Sequence, residues 1–189
     1  MSAQDSKLFV ISGPSGAGKG TLVTRVRERR SNLGLTVSAT TRAPRKGEVD
    51  GVNYFFLTRE EFDRRVANGE FVEWAEVHGN CYGTLVSEVQ SKLASGSSLI
   101  LEIDVQGALQ VKERFPEAVL IFIKPPSLEV LRERLVGRGT ETPETIELRM
   151  ANAADELALA DRYDAVVVND DLDRATDELV RVLDMHERI

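Results

Sequence analysis

A glycine-rich segment near the N-terminus constrains this chain more than any other feature. It lies between a buried strand predicted over residues 7–12 and a predicted helix. Its glycines allow successive backbone N–H groups to point into one concavity, and the helix N-terminus behind them favours an anion. Lys19 adds a mobile positive charge. The segment therefore predicts a P-loop for nucleotide phosphates, against the alternative of an ordinary glycine-rich turn. The residues concerned are Gly13, Pro14, Ser15, Gly16, Ala17, Gly18, Lys19, Gly20 and Thr21.

This segment departs from the usual P-loop at one position. Ser or Thr normally follows the lysine and meets Mg²⁺, whereas Gly20 follows Lys19 here and Thr21 comes one residue later. A P-loop alone leaves the chemistry open. A switch GTPase would add an Asn-Lys-x-Asp element, which the sequence lacks. An ATPase would add an apolar strand ending in paired acids, for which Asp104 is the nearest candidate carboxylate.

Short apolar runs alternate with helical patterns along most of the chain. Further strands are predicted at residues 98–103, 119–123 and 165–168, and such continuous apolar runs are typical of strands covered on both faces. Leu128, Leu131 and Leu135 recur at helical spacing between two of these strands. Strand and helix in repetition predict an α/β fold, a parallel P-loop sheet flanked by helices.

Residues 38–94 break this rhythm. Segments 54–57 and 70–77 are predicted as half-buried strands with alternating polarity, which is typical of an antiparallel sheet. We therefore expect a mixed α/β lobe inserted after the second strand of the core. In the longer segment, alternation places Phe71, Glu73 and Ala75 on one face and Val72, Trp74 and Glu76 on the other.

The composition of the chain argues against two kinds of binding partner, nucleic acid polymers and membranes. The chain has 24 Lys and Arg against 31 Asp and Glu, a net charge of −7, which argues against a nucleic acid polymer. The apolar runs are far shorter than the ~20 residues that span a bilayer, and no secretory signal pattern opens the chain. The single cysteine, Cys81, suits a reducing compartment. We expect a cytoplasmic protein without a membrane partner.

A second anion site is predicted at the start of the inserted lobe. Arg42, Arg45 and Lys46 fall within five positions, mixed with hydroxyl side chains that include Ser38. Arg offers a bidentate fork to phosphate oxygens, although a solvated basic loop is the alternative. Two tyrosines beside glycine-bearing turns favour the anion site, because a hydroxyl near a loop donates to a bound anion. They are Tyr54 and Tyr82.

Glu73 lies in the aromatic segment beside Trp74 and faces either solvent or a pocket. In a pocket its carboxylate would accept two parallel hydrogen bonds, which guanine supplies through N1–H and the N2 amino group. Adenine presents an acceptor at N1 instead. A pocket-facing Glu73 would therefore select guanine.

Residues 137–143 are rich in turn formers and are predicted as a mobile loop between two helices. Three arginines lie in this loop or in the helices beside it. Arg134 and Arg138 are four residues apart, and Arg149 follows on the next helix. An anion between the first two would reverse their mutual repulsion. Compensation of the helix dipole is the alternative explanation.

With these residues in hand, the chain resembles the guanylate kinase family from Leu8 to about Leu183. The resemblance rests on the P-loop and on further motifs, among them Ser38-Ala-Thr-Thr-Arg-Ala-Pro-Arg, Glu70-Phe-Val-Glu-Trp74, Asp104-Val-Gln-Gly107 and Val168-Asn-Asp-Asp171. It implies transfer of the γ-phosphoryl group of ATP to GMP, giving ADP and GDP. It also implies three parts: a core of residues 1–37 and 95–189, a GMP-binding lobe of residues 38–94, and a lid near residues 137–149.

The resemblance further implies a role for each site residue. ATP would be held by the P-loop and Asn169, with Mg²⁺ as cofactor, and the substitution at Gly20 leaves the metal ligands open. The catalytic residues would be Lys19, Arg42, Arg134, Arg138 and Arg149. GMP, and dGMP with it, would be held by Ser38, Arg42, Arg45, Tyr54, Glu73, Tyr82, Thr84 and Asp104. Thr84 stands where the family often has Ser, and keeps the hydroxyl.

Two other functions remain open at this point. Guanylate-kinase-like domains of scaffold proteins bind partner proteins, but they typically lack the intact P-loop that this chain keeps. A kinase for another monophosphate is the second, and an assay with AMP, UMP and dGMP beside GMP would separate it. The sequence does not indicate an oligomeric state.

Overall fold

The computed structural model describes residues 6–77, 79–137, 139 and 142–187. Nine strands and seven α-helices, with one short 3₁₀ turn at Ala160–Arg162, occupy these ranges. In chain order they are β1 (Leu8–Ser12), α1 (Lys19–Arg29), β2 (Gly34–Leu35), β3 (Ala39–Thr40), β4 (Phe55–Phe56), α2 (Arg59–Ala67), β5 (Phe71–Val77), β6 (Asn80–Leu85), α3 (Val86–Ala94), β7 (Leu99–Glu102), α4 (Val105–Arg114), β8 (Val119–Lys124), α5 (Leu128–Gly137), α6 (Pro143–Leu157), β9 (Ala165–Val168) and α7 (Leu172–Glu187).

The core is a five-stranded parallel sheet with the order β2-β7-β1-β8-β9. The four strands predicted from apolar runs are all present, and the α/β fold class is confirmed. Alternate residues of β1 explain why its run is continuous: Phe9 and Ile11 pack with α1 and α7, whereas Leu8 and Val10 pack with α3 and α4. Because both faces are covered, no position in the strand can be polar without cost.

The inserted lobe contains a four-stranded mixed sheet with the order β4-β3-β6-β5. β3 pairs parallel with β4 and antiparallel with β6, and β5 pairs antiparallel with β6. A small apolar cluster joins this sheet to α2, where Phe62 is fully buried and its ring stacks on Phe71 with the centroids 4.3 Å apart. The prediction of a mixed sheet in this lobe is confirmed.

The predicted alternation in β5 is wrong at its first residue. Phe71 pairs with Leu85 and Glu73 with Thr84, so the register shifts between them and Val72 is an extra residue in a β-bulge. Phe71 therefore shares a face with Trp74, and both rings contact Phe62. Glu73 is turned to the opposite face, away from the cluster of the lobe.

The helices α5 and α6 form a smaller layer beside the core, packed through Leu131, Leu135, Ile146 and Ala153. Thr142 caps α6, because its hydroxyl accepts the backbone N–H of Thr145. Of the loop predicted here, Arg138, Thr140 and Glu141 lie outside the described residues. Within the described ranges, every helix is too short or too polar to cross a membrane.

Candidate active site

The P-loop begins where β1 ends at the centre of the parallel sheet. Gly13, Gly16 and Gly18 have φ angles of 139°, 91° and 90°, which residues with a side chain rarely adopt. At Gly13 a Cβ atom would stand 2.2 Å from the carbonyl oxygen of Ile123. All three positions therefore favour glycine for their conformation, and Gly13 needs it also because the loop approaches β8 closely there.

Lys19 is the first residue of α1, and its side chain turns back over the loop. Its Nζ donates to the carbonyl oxygens of Gly13 at 2.6 Å and Pro14 at 3.1 Å. The ammonium is thus held in the concavity that the loop encloses, where a phosphate would lie.

Side chains from the distant C-terminal half complete this end of the site. Asn169, buried at the end of β9, donates from Nδ2 to the carbonyl oxygen of Ala17 at 2.8 Å. Arg134 donates from Nη2 to the carbonyl oxygen of Asn169 at 2.8 Å, and Arg149 donates to the hydroxyl of Ser15. The structure thus brings the P-loop and Asn169, predicted for ATP, together with Arg134 and Arg149, predicted as catalytic, whereas Arg138 lies outside the described residues.

A cavity of about 240 Å³ opens beside these residues, lined by Gly16, Gly18, Thr21, Arg134, Asn169, Asp170 and Leu172. The Nη1 atom of Arg134 is buried and has no hydrogen-bond partner within the described part of the chain. A buried guanidinium nitrogen without an acceptor is costly, so this atom indicates a missing acceptor such as a ligand oxygen.

Two carboxylates lie near Lys19, and the sequence analysis named neither. Glu102 ends β7, and its Oε1 is 3.5 Å from the point where a Cβ of Gly20 would stand. Burial raises the pKa of Glu102 while Lys19 lowers it, and the same two effects act on the pKa of Glu156. Of the two, Glu102 is the one whose distance places it directly beside Gly20. Asp104, the candidate from the sequence, caps α4, because its Oδ1 accepts the N–H of Gly107 at 2.7 Å.

The second anion site is centred on Arg42. Its guanidinium forms a bidentate ion pair with Glu48, at 3.0 Å from Nη1 and 2.9 Å from Nη2, and lies 5.4 Å from the ring centre of Tyr54. Hydrogen bonds to Glu48 raise the pKa of Arg42, with a further contribution from Tyr82. Arg42 therefore points into the lobe and not into bulk solvent.

Arg45 and Lys46 differ from Arg42, because both side chains are exposed. Neither has an acidic partner within 4 Å among the residues that the structure describes. The backbone of Arg45 is fixed instead, since its N–H donates to Glu48 at 2.6 Å. Of the three predicted cations, Arg42 is held by Glu48 beside Tyr54, whereas the side chains of Arg45 and Lys46 are exposed.

The two tyrosines predicted for the phosphate lie beside Arg42 and each other. Tyr54 and Tyr82 pack edge to face, with ring centroids 6.2 Å apart. Ser38, Tyr54 and Thr84 face a cavity of about 470 Å³ whose other wall includes Gly20 and Glu102. One continuous cavity thus joins the P-loop side of the core to the inserted lobe.

The bulge in β5 places Glu73 opposite Thr84, which lines the cavity of about 470 Å³. Glu73 itself lines a second cavity, of about 390 Å³, together with Gln110 and Glu113. Its Oε1 accepts the hydroxyl of Thr84, itself buried, at 2.8 Å. Burial raises the pKa of the Glu73 carboxyl, hydrogen bonds from Thr84 lower it, and the charge of Asp104 raises it further. The second carboxylate oxygen, Oε2, lies 3.6 Å from the point where a Cβ of Gly107 would stand, so the carboxylate lies against the first turn of α4.

Comparison with known proteins gives one consistent result. The family model described as guanylate kinase matches residues 5–186. The chain is 52% identical to the guanylate kinase of Halalkalibacterium halodurans over 183 residues, which are 97% of this chain and 90% of that one. It is 57% identical to the guanylate kinase of Gloeobacter violaceus over 178 residues, covering 94% and 87% of the two chains. The crystal structure of guanylate kinase from Anaplasma phagocytophilum superposes with a TM-score of 0.72 at 36% identity, covering 97% and 87%.

Proposed function

Because the chain belongs to the guanylate kinase family and is a kinase that transfers the γ-phosphoryl group of ATP to GMP, we propose that its two anion sites hold these two nucleotides. The observation that carries the proposal is the cavity of about 470 Å³, whose opposite walls come from the P-loop helix and from the inserted lobe. A phosphoryl group can pass directly between nucleotides only if both bind to one cleft. Residues 38–94 are accordingly the GMP-binding lobe, and residues 1–37 and 95–189 are the ATP-binding core.

ATP lies along the P-loop, from Gly13 to Thr21, with its terminal phosphates at Lys19. The buried Nη1 of Arg134, which has no hydrogen-bond partner among the described residues, supports this position, because a phosphate oxygen would supply its acceptor. The neighbouring cavity beside Asn169 receives the adenine end of the nucleotide.

GMP lies in the lobe with its phosphate on Arg42, Tyr54 and Tyr82, near Ser38 and within reach of the exposed Arg45. Its guanine edge meets Glu73, Thr84 and Asp104. The carboxylate of Glu73 accepts hydrogen bonds from two adjacent donors of guanine, whereas adenine would place an acceptor against it. The 2′-hydroxyl is not part of this recognition, so dGMP is a second acceptor.

The reaction requires positioning and charge neutralisation more than proton transfer. The attacking oxygen of GMP is already anionic, so no side-chain base is needed to activate it. Lys19, Arg42, Arg134, Arg138 and Arg149 surround the transferring group with positive charge, which favours the spread of charge in the transition state. Residues 137–149 form a lid, and its closure excludes water that would otherwise accept the phosphoryl group.

Mg²⁺ is the proposed cofactor and fits the residues beside the P-loop. Magnesium keeps several waters and takes one or two carboxylates together with substrate phosphates. Glu102 beside Gly20, and the exposed Thr21, are the oxygen donors that would hold it with ATP. When bound, the ion neutralises charge on the phosphates. Among the described residues, no cluster of three His, Cys, Asp or Glu side chains could hold a metal alone, which agrees with an ion that enters with the nucleotide.

The proposed location is the cytoplasm. Cys81 is a free thiol and fully buried, which suits a reducing compartment.

A coupled assay of ADP formation tests the proposal. With ATP and Mg²⁺, GMP and dGMP should be turned over, while AMP and UMP should have a kcat/KM lower by about a hundredfold or more. A reaction without an acceptor gives the background of ATP hydrolysis. Equal kcat/KM for AMP and GMP would contradict the assignment of Glu73 as the residue that reads the base.

A further inference from the structure

We propose that Glu48 is a positioning residue for GMP, and that it acts through Arg42. Its carboxylate fixes the Arg42 guanidinium in an orientation that leaves two parallel N–H donors for the phosphate. The proposal rests on the function proposed above for Arg42, since Glu48 itself need not touch the nucleotide. Glu48 is not among the residues to which the proposed function gives a role.

The hydrogen bonds of Arg42 divide its donors into two sets. Nη1 donates to the carbonyl oxygen of Ala43 at 2.8 Å and to Glu48 at 3.0 Å, and Nη2 donates once to Glu48 at 2.9 Å. A guanidinium has five N–H donors in a rigid plane. The bonds to Ala43 and Glu48 leave the Nε–H and one N–H of Nη2, which lie along a single edge, and Tyr82 is the other side chain that acts on this guanidinium. Two parallel donors on one edge match two oxygens of a phosphate.

Glu48 is held in place by a tight turn. Its N–H donates to the carbonyl oxygen of Arg45 at 3.0 Å, and Gly47 has a φ of 91°, as the third position of a type II turn requires. The N–H of Arg45 in turn donates to Oε2 of Glu48 at 2.6 Å. The Glu48 carboxylate therefore accepts hydrogen bonds from both the Arg42 side chain and the Arg45 backbone. These bonds fix the orientation of the Arg42 guanidinium and the backbone conformation at Arg45.

The surroundings strengthen this pair. The side chains of Arg42 and Glu48 are only 16% and 20% exposed, and the guanidinium lies over the rings of Tyr54 at 5.4 Å and Phe56 at 5.8 Å. Hydrogen bonds from Arg42 lower the pKa of Glu48, so its carboxylate stays ionised across the neutral range. Little water competes for the two groups, and the long Arg side chain loses its freedom before GMP arrives.

Simple electrostatics would predict the opposite role. Glu48 is an anion near the proposed phosphate, and repulsion alone would make its removal tighten GMP binding. Positioning predicts weaker binding instead. The sign of the change in affinity therefore separates the two.

The experiment measures dissociation constants by calorimetry for GMP and for guanosine, which lacks the phosphate. Glu48→Gln should raise the Kd of GMP about tenfold, because Arg42 is then no longer immobilised in advance and must be ordered on binding. The Kd of guanosine should not change. Glu48→Asp keeps the charge but is one methylene shorter, and it should also weaken GMP binding. Glu60→Gln removes an exposed acid of the same lobe and should leave both constants unchanged.

Arg42→Gln separates failure of this inference from failure of the proposed function. It should weaken GMP binding more than Glu48→Gln does, and adding Glu48→Gln to it should have little further effect. If Arg42→Gln weakens GMP but Glu48→Gln tightens it or leaves it unchanged, Glu48 is not a positioning residue. If Glu48→Gln weakens guanosine as much as GMP, its role is structural and the inference fails. If Arg42→Gln changes nothing, the phosphate lies elsewhere.

Discussion

Replacing Glu73 with Gln should separate guanine recognition from folding more sharply than any other single change. The two side chains have nearly the same shape, so the bulge in β5 and the bond from Thr84 can persist. The change removes one negative charge and converts one acceptor into a donor. The structure shows why both matter, because Glu73 is half-buried and one of its oxygens already accepts Thr84 at 2.8 Å.

The magnitude follows from the hydrogen bonds of the guanine edge. A Gln side chain can accept one guanine donor at best and presents N–H to the other. An unpaired buried donor costs about 1–3 kcal/mol, and a neutral acceptor is worth roughly 1 kcal/mol less than a charged one. The sum is about 3 kcal/mol, which corresponds to a loss of roughly two orders of magnitude in kcat/KM for GMP. The KM for ATP should not change, because Glu73 lies in the other half of the cleft.

The same substitution should stabilise the free protein. Burial raises the pKa of Glu73 above its value in the unfolded chain, so the folded state binds more protons and stability falls as pH rises through that interval. Gln carries no such penalty. We therefore expect a higher Tm at neutral pH. Each kcal/mol added to the free energy of unfolding raises Tm by ~2–4 °C in a chain of this size.

Steady-state kinetics with GMP and with ATP, together with thermal unfolding, measure both effects. Glu76→Gln is the matched control, since Glu76 lies on the same strand but is exposed. The reasoning is refuted if Glu73→Gln leaves kcat/KM for GMP unchanged, which would mean that the base does not meet this carboxylate.

Further predictions address the other parts of the site. Lys19→Met should lower kcat about a hundredfold or more with an unchanged far-UV circular dichroism spectrum, because a cation at the transferring group is lost; normal turnover would contradict this. The pH profile of kcat/KM for GMP should fall on its acid side as Glu73 becomes protonated, at a higher pH than an ordinary Glu would give, and Glu73→Gln should abolish that limb. Phe62→Ala should cost about 3–5 kcal/mol in denaturant unfolding, because a fully buried ring is removed; a cost below about 1 kcal/mol would show that the lobe does not depend on this cluster.

The parallel core was predictable from the sequence because its strands are covered on both faces. Burial of every residue in β1 and β8, apart from the exposed terminal Lys124, leaves a continuous apolar run that no surface element would show. The P-loop was predictable for a related reason, since positions such as Gly13 exclude every other residue.

The details of the guanine side were less predictable. A bulge shifts the pairing of β5 by one residue, and nothing in the alternation of residues 70–77 reveals where it lies. Pattern alone therefore placed Glu73 on the same face as Phe71. The direction of Glu73 depends on its pairing with Thr84, which is eleven residues away and is set by β6.

Two acidic residues of the site, Glu102 and Glu48, were not predicted from the sequence. Glu102 is the last residue of a buried strand, and only the position of α1 brings Gly20 next to it. Glu48 had a local signal, because it follows Gly47 in a turn and lies three residues after Arg45. Its pairing with Arg42 could have been anticipated from that spacing.

A crystal structure with GMP and a non-hydrolysable ATP analogue tests the central claim most directly, namely that both nucleotides share the cleft between the P-loop and the lobe. The claim predicts the guanine edge on Glu73 and Thr84, the GMP phosphate on the open edge of Arg42, and the terminal phosphate of the analogue at Lys19, facing it. The claim is contradicted if GMP lies outside the lobe, or if its phosphate is separated from the analogue by protein.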